Sequence, residues 1–135
     1  MEMVQELRWL LLALVFVAVM PLIYVANRAL VRGPRLAVND PQGSAGGALS
    51  PWAQRVRFAH ANAVENLVIF APAVLAIQLL GVSTPATAMA AMIWFGARIV
   101  HAAAYAANIG LVRTLAHVAA WVAQLFMLRH LLGWV

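Results

Sequence analysis

Four long apolar runs dominate the chain and leave it few folds to choose from. They cover about Leu7–Val31, Pro51–Leu80, Pro85–Ala107 and Leu111–Trp134. At about 1.5 Å per residue, the 25 residues of the first reach across a hydrocarbon core of about 30 Å. Backbone polar groups find no water in that core, so each run must close its own hydrogen bonds as a helix. Composition agrees. Of the 135 residues, 65% are hydrophobic and 10% charged, where an ordinary soluble domain has about 45–50% and about 25%. The expectation is an all-α, integral-membrane four-helix bundle, with residues 1–135 forming a single domain. The first run is too long for a signal peptide and lacks a small-residue cleavage site, so it reads as a retained helix.

Between the first two runs, residues 32–50 read as the one long loop. They hold Gly33-Pro34, Asn39-Asp40-Pro41 and Gly43-Ser44-Ala45-Gly46-Gly47, all turn residues. Ser50-Pro51 opens the second helix as an N-cap followed by proline at the first helical position. Gly81 to Pro85 is a tight turn with Ser83 or Thr84 as the next cap, and Asn108-Ile109-Gly110 separates the last two helices. Pro21 predicts a kink in the first helix.

The net charge of +5 comes from nine arginines and no lysine. All but Arg98 flank apolar runs, and they form no exposed stripe, which points to lipid headgroups and topology and away from nucleic acid. Arg28, Arg32, Arg35, Arg55, Arg57 and Arg113 face the first and third loops; Arg8 and Arg129 lie at the other side, with Glu2 and Glu6 near Arg8. That asymmetry puts the two loops in the cytoplasm and both termini opposite. Trp9, Trp52, Trp121 and Trp134 fall mostly near the interfaces, whereas Trp94 reads as a packing residue. Cysteine is absent, which excludes disulfides, thiolate metal sites and a cysteine nucleophile. Any thiol chemistry would use a thiol carried by a ligand. No metal site is expected, since His60 and His101 lack a suitable partner spacing, and Gly43–Gly47 follows no strand that would make it a phosphate loop.

Function is to be sought along a polar seam. Arg98 lies inside the third apolar run, where a charge costs about 2.5–3.5 kcal/mol on insertion scales. His101 and Tyr105 follow it at helical spacing. On the second helix Arg55, Phe58, Asn62, Glu65 and Asn66 share a stripe. Counting from the helix ends puts Glu65 about 21 Å deep and Arg98 about 15 Å, so the two are expected to pair within a subunit or between two. The plain reading of such a pair is helix register alone. His101 could be a satisfied bundle histidine, Tyr105 an interfacial tyrosine, and Arg113 a topological signal. Against this, several arginines around one pocket suit an anionic ligand bearing carboxylates, which guanidinium binds bidentately.

The run Arg55-Val56-Arg57-Phe58-Ala59-His60-Ala61-Asn62-Ala63-Val64-Glu65-Asn66 resembles the core motif of the membrane-associated proteins in eicosanoid and glutathione metabolism, the MAPEG family. Arg98-Ile99-Val100-His101-Ala102-Ala103-Ala104-Tyr105 looks like the third-helix stretch of microsomal prostaglandin E synthase and microsomal glutathione transferases. The resemblance implies a homotrimer of four-helix subunits holding glutathione between neighbours near the cytoplasmic face. It implies that Asn62, Glu65 and Tyr105 contact glutathione, and that Arg98 and His101 support the pocket. Arg28 would take a glutathione carboxylate. Arg113 with Thr114 matches, across one gap, an arginine–serine pair whose arginine stabilises the thiolate, which makes Arg113 the catalytic candidate. Phe58 stands where the motif has arginine, with Arg57 beside it and Arg55 one turn earlier as the inward-reaching substitute. His117 stands where some relatives have tyrosine.

The implied activity is glutathione transferase or peroxidase chemistry on lipophilic electrophiles, or on a lipid substrate, entering from the surrounding membrane lipids. A non-catalytic, lipid-binding MAPEG relative is the alternative. A small four-helix drug exporter is disfavoured because the first helix carries no carboxylate within its span.

Overall fold

The computed structural model describes residues 2–40 and 49–133. The turn signals at 41 and 43–47 and the expected belt residue Trp134 lie outside them. Every element is a helix: α1 (Gln5–Arg32), α2 (Pro34–Asn39), α3 (Pro51–Leu80), α4 (Pro85–Ala106) and α5 (Gly110–Leu132). Four of these, α1, α3, α4 and α5, are long and apolar enough to cross a membrane. The protein is an integral-membrane helical bundle.

The 32–50 segment is not all loop. Gly33 takes φ 81°, a left-handed conformation that stops α1 and suits glycine. Pro34 then starts the six-residue α2 at a position where its missing N–H costs nothing. The two ends of this short helix are tied by Arg32, which donates to the Asp40 carbonyl and pairs with its carboxylate at 2.8 Å. Gly-Pro reads as a turn because sequence shows the break and not the turn of helix beyond it.

The other boundaries have identifiable causes. Ser50 holds the N-cap position of α3 without a side-chain cap bond into the helix; it is tied to α1 instead, where Asn27 accepts from its backbone N–H at 2.9 Å and donates to its hydroxyl at 3.0 Å. Gly81 ends α3 at φ 68°. Thr84 and Thr87 form a reciprocal capping box on α4. Asn108, at φ 62°, is the one non-glycine residue in the left-handed region among those described, and it turns the chain from α4 directly into α5.

The core runs across all four long helices: Leu10 and Ala13, Phe70, Val74 and Ile77, Ala90, Ala91 and Trp94, and Ala120, Ala123 and Met127. Alanine dominates because close helix approach in lipid depends on small residues, there being no water to expel. Trp94 is 1% exposed and stacks on Phe70 with ring centroids 3.8 Å apart, while its indole N–H donates to Gln124 at 3.1 Å. It packs, as its position in the run implied. Large side chains such as Leu22, Leu30 and Val68 point outward to where lipid would lie.

At the end of the bundle away from α2 lies a buried carboxylate, which the sequence placed only near Arg8. Glu6 is fully buried and accepts from Ser83 at 3.0 Å and from Thr87 at 2.5 Å, at the amino end of α4. Gln78 accepts from the Val4 N–H at 3.0 Å, and His130 bonds the Val82 carbonyl at 2.8 Å. Together these bonds join the chain just before α1, the last turn of α3, the α3–α4 turn and the end of α5.

Candidate functional site

A second polar cluster lies toward the α4–α5 turn. Arg98, His101 and Tyr105 descend one face of α4 at three- and four-residue spacing. Arg98 is 2% exposed and His101 6%. Arg98 donates one strong hydrogen bond, Nη1 to the side-chain oxygen of Asn62 on α3, at 3.0 Å. Its contacts with His117 on α5 are long, 3.5 Å to Nδ1 and 3.4 Å to the carbonyl. Its Cζ lies 5.9 Å from the Trp94 ring centroid. Nε has no partner.

The expected Glu65–Arg98 ion pair does not form within the subunit. Among the described residues the one ion pair between side chains is Arg32–Asp40. Three residues advance about 300° around a helix, so when Asn62 faces α4 its neighbour Glu65 is turned about 60° away. Val56, Ala59 and Ala63, all buried, fix that rotation by packing with Met20 of α1, and Glu65 is left on the exposed face of α3. Asn66 is also withdrawn from the seam, donating back to its own helix at the Asn62 carbonyl, 2.8 Å.

His101 Nδ1 lies 3.0 Å from the backbone carbonyl of Arg113. A carbonyl only accepts, so Nδ1 carries the proton and Nε2 of the neutral ring is an acceptor. That acceptor is buried and unpaired. The ring also touches Tyr105 and His117, at centroid distances of 5.7 and 5.6 Å. Arg113 itself, in the first turn of α5, holds its guanidinium over the face of Tyr105, with Cζ 4.6 Å from the ring centroid. The amino end of α5 has no side-chain cap. The partial positive charge of a helix start and a guanidinium therefore coincide here, a repulsive arrangement for the bare chain and a favourable one for an anion.

The remaining candidates lie around this group. Arg55 donates from Nε to the Ala106 carbonyl at 2.9 Å, so it reaches inward and caps the last turn of α4. Thr114 is exposed and its hydroxyl donates to Gly110 of its own helix at 3.0 Å. Arg28 is half-buried near the end of α1 and makes no bond to the cluster among the described residues. Phe58, one turn before Asn62 on the same stripe of α3, is 51% exposed. The geometry thus gathers Asn62, Arg98, His101, Tyr105 and Arg113, and adds His117, whose part was not evident from sequence. Its spacing from Arg113, i to i+4 on α5, is the signal that puts it on the same face. No group of three or more metal-ligating side chains occurs among the described residues.

A model of the MAPEG family matches residues 7–133. The chain belongs to this family. No curated protein and no solved structure shows significant similarity to it. MAPEG membership brings a glutathione-related or related membrane function into view, and Arg98 and Arg113 are the cationic side chains of the cluster in this MAPEG chain.

Proposed function

We propose that this protein is a glutathione-dependent transferase or peroxidase acting on lipophilic electrophiles. The observation that carries the reading is Arg113, stacked on Tyr105 at the uncapped start of α5. A thiol with pKa near 8.5 is ionised more fully beside such a cation, and the thiolate is the nucleophile. In transfer to a chlorinated nitrobenzene, the thiol proton goes to solvent, sulfur bonds to the ring carbon, and chloride leaves with its electron pair. Arg28, with Asn62 and Arg98, supplies donors for the tripeptide's carboxylates and amides. In this reading the site opens toward the cytoplasm and the termini lie opposite.

Glu65 supports self-association as a homotrimer. A carboxylate on the lipid-facing side of a spanning helix is expensive and, among the described residues, has no hydrogen-bond or ion-pair partner. A neighbouring subunit covering α3 removes that cost and places Glu65 where the ammonium of a glutathione bound between subunits would meet it. Calorimetry of glutathione binding to detergent-purified protein, with turnover of the chlorinated nitrobenzene, tests the proposal. Binding and conjugation, with conjugation lost in Arg113→Ala, support it; no binding at millimolar glutathione overturns it.

One observation favours a second reading, a non-catalytic lipid-binding protein. An apolar groove of about 290 Å³ runs between α4 and α5, lined by Met89, Ile93, Val122 and Phe126 among others. Retention of a lipid through purification, with no glutathione binding, would select it.

A further inference from the structure

The contacts around Arg113 point to a device for holding it still, and this inference rests on the glutathione reading above. An arginine in the first turn of an uncapped helix is repelled by that helix end and carries a long, flexible stem. Left alone, it would spread over many rotamers in the water at the membrane surface. Here it is fixed at two points. The Tyr105 ring lies under its guanidinium, and the His101 N–H grips its main-chain carbonyl. Both grips come from one face of α4, and the Asn108 turn brings α5 directly onto that face.

We propose that Tyr105 and His101 are positioning residues: they orient Arg113 toward the thiol, Tyr105 through its ring face and His101 through the Arg113 carbonyl. The Tyr105 hydroxyl forms no hydrogen bond among the described residues. Its ring is engaged, and the ring is what phenylalanine would keep. The resemblance to the family implies a hydroxyl contact with glutathione, so the two roles make opposite forecasts for one pair of variants.

The experiment compares wild type, Tyr105→Phe and Tyr105→Leu in detergent with two readouts. The first needs no ligand: the Arg113 Nε–H resonance in arginine-labelled protein, assigned with Arg113→Lys and shifted upfield by a ring beneath it. The second is the pH dependence of the 240 nm absorbance of bound glutathione thiolate. The expected result is an upfield resonance in wild type and Tyr105→Phe that returns to the random-coil position in Tyr105→Leu. In Tyr105→Leu the thiolate midpoint rises by about half to one pH unit, a three- to tenfold smaller ionisation constant, consistent with the scale of cation–π contacts. Tyr105→Phe restores it. An unshifted resonance in wild type overturns the clamp. Loss in Tyr105→Phe as deep as in Tyr105→Leu assigns the role to the hydroxyl and overturns the proposal. A shifted resonance with no thiolate even in wild type overturns the glutathione reading and, with it, any positioning role, and leaves a packing contact.

Discussion

The two polar clusters of this bundle are built on opposite principles. Around Glu6 the hydrogen bonding is complete: a carboxylate with two hydroxyl donors, a capped helix and a glutamine bridging to the chain before α1. Around Arg98 it is incomplete: a buried guanidinium without a carboxylate, one orphaned Nε, one orphaned histidine nitrogen. A closed network of buried polar groups rigidifies, whereas a partly satisfied one is costly unless something else completes it. The first joins helix ends. In the reading proposed above, a ligand completes the second.

That contrast yields separable outcomes. Glu6→Leu strands Ser83 and Thr87 and should lower unfolding stability by about 2–4 kcal/mol in mixed-micelle titrations with sodium dodecyl sulfate, without changing glutathione affinity once folded. Equal loss of binding in the surviving folded fraction would show that the clusters are coupled. Arg98→Met should do the reverse. Replacing an uncompensated buried charge by a side chain of similar volume leaves stability unchanged or raises it by about 1 kcal/mol, while glutathione affinity falls about tenfold or more. A strongly destabilised Arg98→Met would mean that Asn62 and His117 already complete the network. Thr87→Val removes one of two donors to Glu6 and the reciprocal cap of α4, for an expected loss of about 1–2 kcal/mol read in the same titration. The smallest effect belongs to Glu65→Gln: no partner within the subunit is lost, so the titration midpoint should move by less than about 0.5 kcal/mol. A larger drop, with a smaller assembly than wild type by native mass spectrometry, would place an arginine of a neighbouring subunit against it.

How much of this was legible in sequence depends on how local the causes are. The α4 stripe of Arg98, His101 and Tyr105 was readable because one helix fixes its geometry. The starts of α3 and α4 were marked by Ser50-Pro51 and Thr84-Pro85 for the same reason. The pairing of Glu65 with Arg98 within the subunit was misjudged because the rotation of α3 is set by how its buried Val56, Ala59 and Ala63 meet α1, which the spacing along one helix does not reveal. Glu6 was read only as a charge near Arg8, and its burial was missed because its donors lie 77 and 81 positions away. The sign that was available is the cluster Ser83-Thr84-Thr87 at a helix start, a place where a carboxylate is welcome.

The short turn at Asn108 also bears on how such a chain enters a membrane. Every grip on Arg113, and the His117 carbonyl that faces Arg98, comes from the hairpin of α4 and α5. That hairpin is the last part of the described chain to be made, after α1 and α3. Arg98 then meets α5 within its own hairpin and Asn62 on a helix already synthesised, so the hairpin's most costly residue can enter lipid turned inward.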